Sequence, residues 1–366
     1  MSNLIDYMIW RGDLTFPINK FNAVDNFILS MITYIDFDRI FTNYNPRIKF
    51  SIAVAAREFC KTTSDKNLHL GVLMPAQNIR KIFELMGRSK RFSTVEISDF
   101  VNEIDYKSEM QFCAVTYHLT DGEMFVCFRG TDDTLVGWKE DCKLSYLNKI
   151  PAQERAAEYL EKVARKYPDK QIYVGGHSKG GNLAKYSAIY CDDEIKDRIV
   201  YIFNNDGPGF LSGVIDKQRL SLVESKIRNY IPPSSLFGQM FESHGTTTII
   251  KSSQKGLYQH DCFSWQVRGA GVVSLKKLST MGEKHNQIFE SRIMSVPIDK
   301  RGEVVDMFFS IIEQTGAKTL LDFTEDKFTK ASMAAKGVRQ LDKEQKALLN
   351  MLAAQLLDIK VKTTAK

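Results

Sequence analysis

At 366 residues the chain is long enough for one large domain or two modest ones, and 43% hydrophobic with 26% charged residues is the make-up of a globular protein with a substantial core. Its 50 basic and 44 acidic residues are well interspersed and leave a formal charge of +6, with no arginine-rich arm or aromatic-basic stripe, which argues against nucleic acid as a partner. No window approaches the roughly 18 uninterrupted apolar residues of a spanning helix, and Met1 to Asp6 lacks the basic start and long apolar core of a secretion signal. Cys60, Cys113, Cys127, Cys142, Cys191 and Cys262 are scattered without a Cys-x-x-Cys pair. They read as reduced structural thiols in a cytoplasmic protein.

Taken in order, Trp10 to Pro17 is rich in turn residues, after which Val24, Phe27, Ile28, Met31 and Ile32 mark a helix face. Helical spacing returns at Phe50, Ala53, Ala56 and Phe59, and again at Ile79, Ile82, Phe83 and Met86. The stretch from Arg47 to Phe100 carries little strand signal. It is expected to be helical, packed on the body or partly covering it.

From Met110 the period changes to two: Phe112, Ala114 and Thr116 alternate with Cys113, Val115 and Tyr117, and Asp121-Gly122 turns the chain into Met124 to Phe128. A helix follows from Ala152 to Tyr167, stopped by Pro168. Apolar strands are predicted at Ile172 to Val174, Ile199 to Phe203, Ile227 to Ile231 and Thr246 to Lys251. Strands alternating with helices imply an α/β fold with a mostly parallel sheet covered on both faces. After Trp265 the pattern is helical, with Phe308, Ile311 and Ile312 on one face and an amphipathic segment at Leu341 to Leu357. The basic tail from Lys360 to Lys366 is expected to be solvated. On this reading residues 1–109 form a helical N-terminal portion, 110–270 the catalytic core and 271–366 a helical extension of the same domain.

The chemistry centres on Ile172 to Ala184. Gly176-His177-Ser178-Lys179-Gly180 fits G-x-S-x-G between a strand and a helix, where Gly176 and Gly180 leave room for a strained turn that exposes the serine oxygen. The following helix aims free N–H groups at the same place, favouring an anionic intermediate there. A glycine-rich turn without catalysis is the plain alternative. A serine nucleophile needs a base, and His177 is expected to point away from Ser178, while His69 and His118 precede the serine, the wrong chain order. His260 is the first candidate, in a loop after the last predicted strand, followed by His244 and then His285. Asp206, at the carboxyl end of the strand after the nucleophile helix, is the candidate acid; an Asx turn before Gly207 is its plain alternative. Asp261 is too close in sequence to His260 to orient it. The backbone amides of Thr131 and Lys179 are the candidate oxyanion donors. Arg129 and Asp141 read better as a structural ion pair bracing the loop than as catalytic groups.

Phe128-Arg129-Gly130-Thr131 with Trp138 and Asp141, and Gly176 through Ala184, resemble the class 3 lipase-like branch of the α/β-hydrolases. The chain is more closely similar to the bacterial Mbeg1-like family in Asp6-Tyr7, Trp10-Arg11-Gly12-Asp13, Asn204 through Phe210, Pro232-Pro233-Ser234-Ser235 and Gln259 through Trp265. The resemblance spans about Asp6 to Trp265 and implies an α/β-hydrolase fold strongly and a substrate weakly. Asp206-Gly207-Pro208 is also similar to the aspartate-proline turn that supplies the acid in vertebrate pancreatic-type lipases. Fungal-type class 3 lipases place the aspartate one strand later, where this chain has Asn229.

The expected function is therefore a serine hydrolase, lipase- or carboxylesterase-like, cleaving a carboxylic ester such as a lysolipid through an acyl-enzyme on Ser178, with no metal or cofactor. A thioesterase would use the same three residues, and a non-catalytic scaffold that keeps the fold is the alternative from another class. Leu236, Phe237, Met240 and Phe241 either line an acyl pocket or belong to the core. Lys81, Arg88, Lys90 and Arg91 offer at most a peripheral membrane contact. The substrate's chain length and the oligomeric state are open.

Overall fold

The computed structural model describes residues 2–40, 49–63, 76–314 and 316–319, with single positions 322, 343, 346 and 350 beyond them. Apart from positions 343, 346 and 350, the amphipathic segment expected at Leu341 to Leu357 therefore lies outside the described residues, as do the basic tail and His69.

The chain opens with helices α1 (Leu4–Arg11), α2 (Ala23–Ile32) and α3 (Phe37–Ile40), a two-residue strand β1 (Phe50–Ser51), and helices α4 (Ile52–Thr62) and α5 (Ala76–Arg88). Helix α1 reaches into the stretch expected to be turns. It is started by Asn3, whose side chain accepts the amides of Ile5 and Asp6 while Asp6 returns a bond to the Asn3 amide. Asn22 and Asp25 repeat that reciprocal cap on α2. Such caps satisfy the free N–H groups of a first helical turn, so helix can begin where composition alone suggests loop.

A mixed sheet follows, in the order β1-β2-β3-β4-β5-β6-β7-β8-β11. Its antiparallel side holds β1, β2 (Glu96–Asp105), β3 (Met110–His118) and β4 (Glu123–Phe128). After α6 (Leu135–Lys143) and α7 (Pro151–Lys166), β4 is joined in parallel by β5 (Gln171–His177). Helices α8 (Lys179–Tyr190) and α9 (Asp193–Arg198) lead to β6 (Ile199–Asn205), and α10 (Lys217–Ser221) to β7 (Ile227–Ile231) and β8 (Thr246–Ile250), all parallel. The short strands β9 (Val267–Arg268), β10 (Gly271–Val272) and β11 (Ser274–Leu275) come next, and β11 closes the far edge of the sheet antiparallel to β8. Helices α11 (Thr280–Ser295) and α12 (Ile298–Glu313) complete the described elements.

Strand β2 falls where helix was expected. Ser98, Asp99, Asn102 and Glu103 dilute its β signal, and a bulge between Ser98 and Val101, with Asp99 at φ 54°, breaks the alternation a strand is read from. Elsewhere the two-residue period holds. Cys113, Val115, Tyr117, Phe125, Cys127, Tyr173 and Phe203 enter the core shared with α1, α2, α4 and α5, while Phe112, Ala114, Val126, Phe128, Val174 and Ile202 enter the one beneath α7 and α8. Helix α2 is buried at every residue but Ala23. It lies between the sheet and the outer helices, and its buried polar residues Asp25, Asn26 and Ser30 each have hydrogen-bond partners. A third, smaller core joins α12 to Leu135 of α6.

Candidate active site

Strands β4, β5 and β6 end together, and the turns after them carry Arg129 to Thr134, Ser178 and Asp206. Ser178 is the first residue beyond β5 and the cap of α8, with φ 57° and ψ −132°. A side chain at positive φ is strained, and this turn persists because its surroundings leave the backbone no alternative. A Cβ on Gly176 would come within 2.4 Å of the Phe128 carbonyl oxygen, and one on Gly180 within 2.1 Å of the same atom. Both glycines are thus required by the close crossing of β4 and the elbow.

Asp206 also has a positive φ, 55°. Its amide donates to the Tyr230 carbonyl at 2.8 Å, and its Oδ2 meets His260 Nδ1 at 2.7 Å. Its Oδ1 accepts the hydroxyl of Ser235, which in turn accepts the Gly238 amide at 2.8 Å. Asp206 and His260 are 1% and 6% exposed. Burial pushes the His260 ring below its ordinary value, so it is neutral near pH 7 and donates from Nδ1, leaving Nε2 as the basic nitrogen. Burial raises the Asp206 carboxyl, opposed by the Ser235 hydroxyl, the nearby His177 and the Gly238 amide.

The loop that carries His260 is held by its backbone. His177 Nε2 donates to the His260 carbonyl oxygen at 2.8 Å, which obliges the neutral His177 ring to accept the Tyr34 hydroxyl at Nδ1, at 3.0 Å. Burial pushes the His177 ring down to about 3, so it stays neutral in that role. Trp265 Nε1 donates to the Gln259 carbonyl at 2.7 Å, and Gln259 Oε1 accepts the Ser234 amide at 2.8 Å. The His260 ring lies between those of His177, 4.3 Å away, and Phe237, 4.5 Å away.

The structure thus brings Asp206 and His260 into direct contact beside the Ser178 turn. Among the described residues the Ser178 hydroxyl makes no hydrogen bond. The amides of Thr131 and Lys179 make none either, and Lys179 is the first residue of α8. Its side chain runs the other way: Nζ, 1% exposed, reaches Glu140 Oε2 at 2.8 Å and the Gln111 carbonyl at 3.1 Å. Glu140 also accepts the amides of Gln111 and Ala152, so it ties α6, β3 and α7 to the elbow.

Several expected partnerships differ. Arg129 pairs with Asp132 at 3.0 Å and with Asn102, because Asp132 stands three residues on in the same turn. Asp141 instead accepts the Thr131 hydroxyl at 2.6 Å and lies 3.8 Å from Lys179 Nζ. Arg91 is no surface charge: it is buried against Asp25. His118 sits at the opposite end of the sheet on Ser98, 2.8 Å away. His244 lies against Phe210, with its carbonyl on Asn229, and His285 belongs to α11. Asn229 accepts Asn204 Nδ2 at 3.0 Å and braces the turn that carries Asp206. Asp261 caps the Phe263 amide. Leu236 and Met240 pack on the α12 core and Phe241 on the α8 core, whereas Phe237 touches His260.

His177, Ser235 and Glu140 were not foreseen in these roles. The pair Ser234-Ser235 after two prolines was the available signal for one of them.

A family model described as Mbeg1-like matches residues 86–310. The chain belongs to the Mbeg1-like family. As an Mbeg1-like protein it has no match among curated proteins. Among solved structures it is similar to a fungal lipase–inhibitor complex, described as a model for interfacial activation in lipases, with 14% identity and a TM-score of 0.31 over 52% of this chain and 82% of that one. No described helix of this Mbeg1-like chain is long and apolar enough to cross a membrane.

Proposed function

We propose that the protein is a lipase-like serine hydrolase that cleaves a carboxylic ester through an acyl-enzyme on Ser178. The observation that carries this reading is the His260–Asp206 contact beside a serine held at positive φ on a strand-to-helix elbow. Ser178 Oγ attacks the ester carbonyl carbon, its proton passes to His260 Nε2, and the carbonyl electron pair moves to oxygen, where the amides of Thr131 and Lys179 receive it. Collapse expels the alcohol, which takes its proton from His260. A water activated by the same nitrogen then releases the acid. Asp206 holds the imidazole in the needed tautomer and favours the transient imidazolium. Residues 110–270 supply these groups, while the N-terminal helices α1, α2, α4 and α5 cover one face of the sheet to which β1 and β2 also belong.

Membership of the Mbeg1-like family, together with the class 3 lipase-like motifs of this sequence, supports the reaction class. The decisive measurement is labelling by a fluorophosphonate together with turnover of p-nitrophenyl esters of graded length, run beside acyl-CoA to separate ester from thioester. Ser178→Ala and His260→Ala are expected to lose roughly 10³-fold or more of kcat and Ser178→Ala to lose all labelling. Wild-type protein that neither labels nor turns over any ester would leave the fold as a scaffold.

A further inference from the structure

The proposed oxyanion hole takes its two amides from two segments, Thr131 in the turn after β4 and Lys179 at the start of α8. The ladder between β4 and β5 ends at Phe128 and Gly176, before either amide is reached. Beyond that point the Lys179 side chain joins the two segments. An ammonium at the first residue of a helix is set against the helix dipole, and burying it costs solvation. Lys179 bears both costs, since it opens α8 and is 1% exposed. All three of its N–H donors are met, by Glu140 Oε2 at 2.8 Å, Gln111 Oε1 at 2.8 Å and the Gln111 carbonyl at 3.1 Å. Glu140 is fully buried and held in turn by the amides of Gln111 and Ala152. The next residue, Asp141, lies 3.8 Å from the Lys179 ammonium through Oδ1 and accepts the Thr131 hydroxyl on Oδ2 at 2.6 Å. One turn earlier in α6, Gly137 is packed so closely that an added Cβ would sit 2.9 Å from the Thr131 methyl and 3.3 Å from Gln111 Oε1.

Apolar side chains would fill the same space with no loss of stability, so a buried ion pair at this place asks for a task other than stability. We propose that Lys179 is a positioning residue: its ammonium, held between Gln111 and the Glu140-Asp141 step of α6, fixes the Lys179 and Thr131 amides in the one arrangement that receives an oxyanion. This rests on the hydrolase reading above. The side chain touches no reacting atom, and only the amide of the same residue meets the developing charge. The advantage is geometric, because donors already aimed at the oxyanion need no rearrangement when the charge forms.

The test separates the side chain from the amide, which the substitutions below all retain. Lys179→Met alone would strand Glu140, so it is combined with Glu140→Gln. Gln111→Leu is the milder variant: it removes one acceptor of the ammonium and leaves the ion pair, and Gln111 Nε2 has no partner to lose among the described residues. Lys139→Met, which breaks the pairs of the same helix with Glu109 and Asp306, is the control. Thermal melts establish that each variant is folded, and Gln111→Leu decides if the double variant is not. On a p-nitrophenyl ester, kcat is expected to fall about 10- to 100-fold in the double variant and about three-fold or more in Gln111→Leu, with KM held within about two-fold in both. The Lys139→Met protein should keep both constants within about two-fold of the wild type. A trifluoromethyl ketone of the same acyl chain, which adds to the serine and carries an oxyanion, is expected to lose affinity in proportion to kcat/KM. A folded variant with wild-type kcat, or a rise in KM alone, overturns the positioning role while the hydrolase stands. An equal loss in Lys139→Met also overturns it, since a loosened α6 would then account for the effect. Wild-type protein that neither turns over ester nor labels with a fluorophosphonate removes the hydrolase reading and this proposal with it.

Discussion

His260 is buried, and burial disfavours its charged form, so the ring gives up its proton at a lower pH than a free imidazole does. In the proposed mechanism only the neutral ring can take the Ser178 proton. Activity should then persist through pH 6.5 on the acid side and fall only below it, since lower pH is needed to charge a ring whose protonated form is destabilised. The acid limb of kcat/KM on a p-nitrophenyl ester is expected to have its midpoint below about 6.5. A midpoint at or above that value contradicts a buried neutral base. As candidates, Ser178, Asp206 and His260 stood out because each has a local pattern: an elbow between glycines, an aspartate before Gly207-Pro208, and a histidine in a loop after the last predicted strand. His177 was not, because its bond goes to the main chain of a residue 83 positions away. No spacing in a sequence announces that.

Helix α8 carries more than the proposed nucleophile at its cap. Lys185 is fully buried, its Nζ has no hydrogen-bond partner among the described residues, and the Phe210 ring lies 5.1 Å away. Burial pushes it down to about 7. Between that value and the ordinary 10.5 the unfolded chain binds the proton more readily than the folded one, so stability rises with pH across this window. Lys185→Met should stabilise the fold at neutral pH by on the order of 1–3 kcal/mol. The gain over the wild type should shrink as pH rises towards 10.5. Chemical denaturation of both proteins across that range checks the sign, and a gain that grows with pH would refute it. At the same scale, the strands of the parallel centre were readable because each is a short, dense apolar run. Strand β2 was hidden by its bulge, and α1 by reliance on a cap in which the signal is Asn3 and Asp6 rather than apolar spacing.

Across the whole molecule the N-terminal helices and the sheet are one packed body. Arg91, just after α5, donates from Nε to Asp25 Oδ1 at 2.7 Å and from Nη2 to Oδ2 at 2.5 Å, and Tyr7 donates to the same carboxylate at 2.8 Å. Both ion-pair partners are fully buried. Arg91→Met would strand the Asp25 carboxylate and is expected to cost about 3–5 kcal/mol, seen as a fall in Tm of roughly 10 °C. A change of no more than a degree or two would mean that the pair contributes little. Composition suggested that Arg91 belonged on a solvated basic face, because a charged residue beside Lys90 looks exposed until the fold brings Asp25 to it from 66 positions away.

The family match begins at residue 86, yet Asn26 and Ser30 of α2 bond to Asn205, the neighbour of Asp206, and Phe21 lies 4.8 Å from the Tyr173 ring. A protein trimmed to the matched span would keep all three proposed catalytic side chains while laying Tyr117, Phe125, Tyr173 and Phe203 open to water. Anyone shortening it for expression should anticipate a sticky, clumping product and an Asp206 turn that has lost its backing.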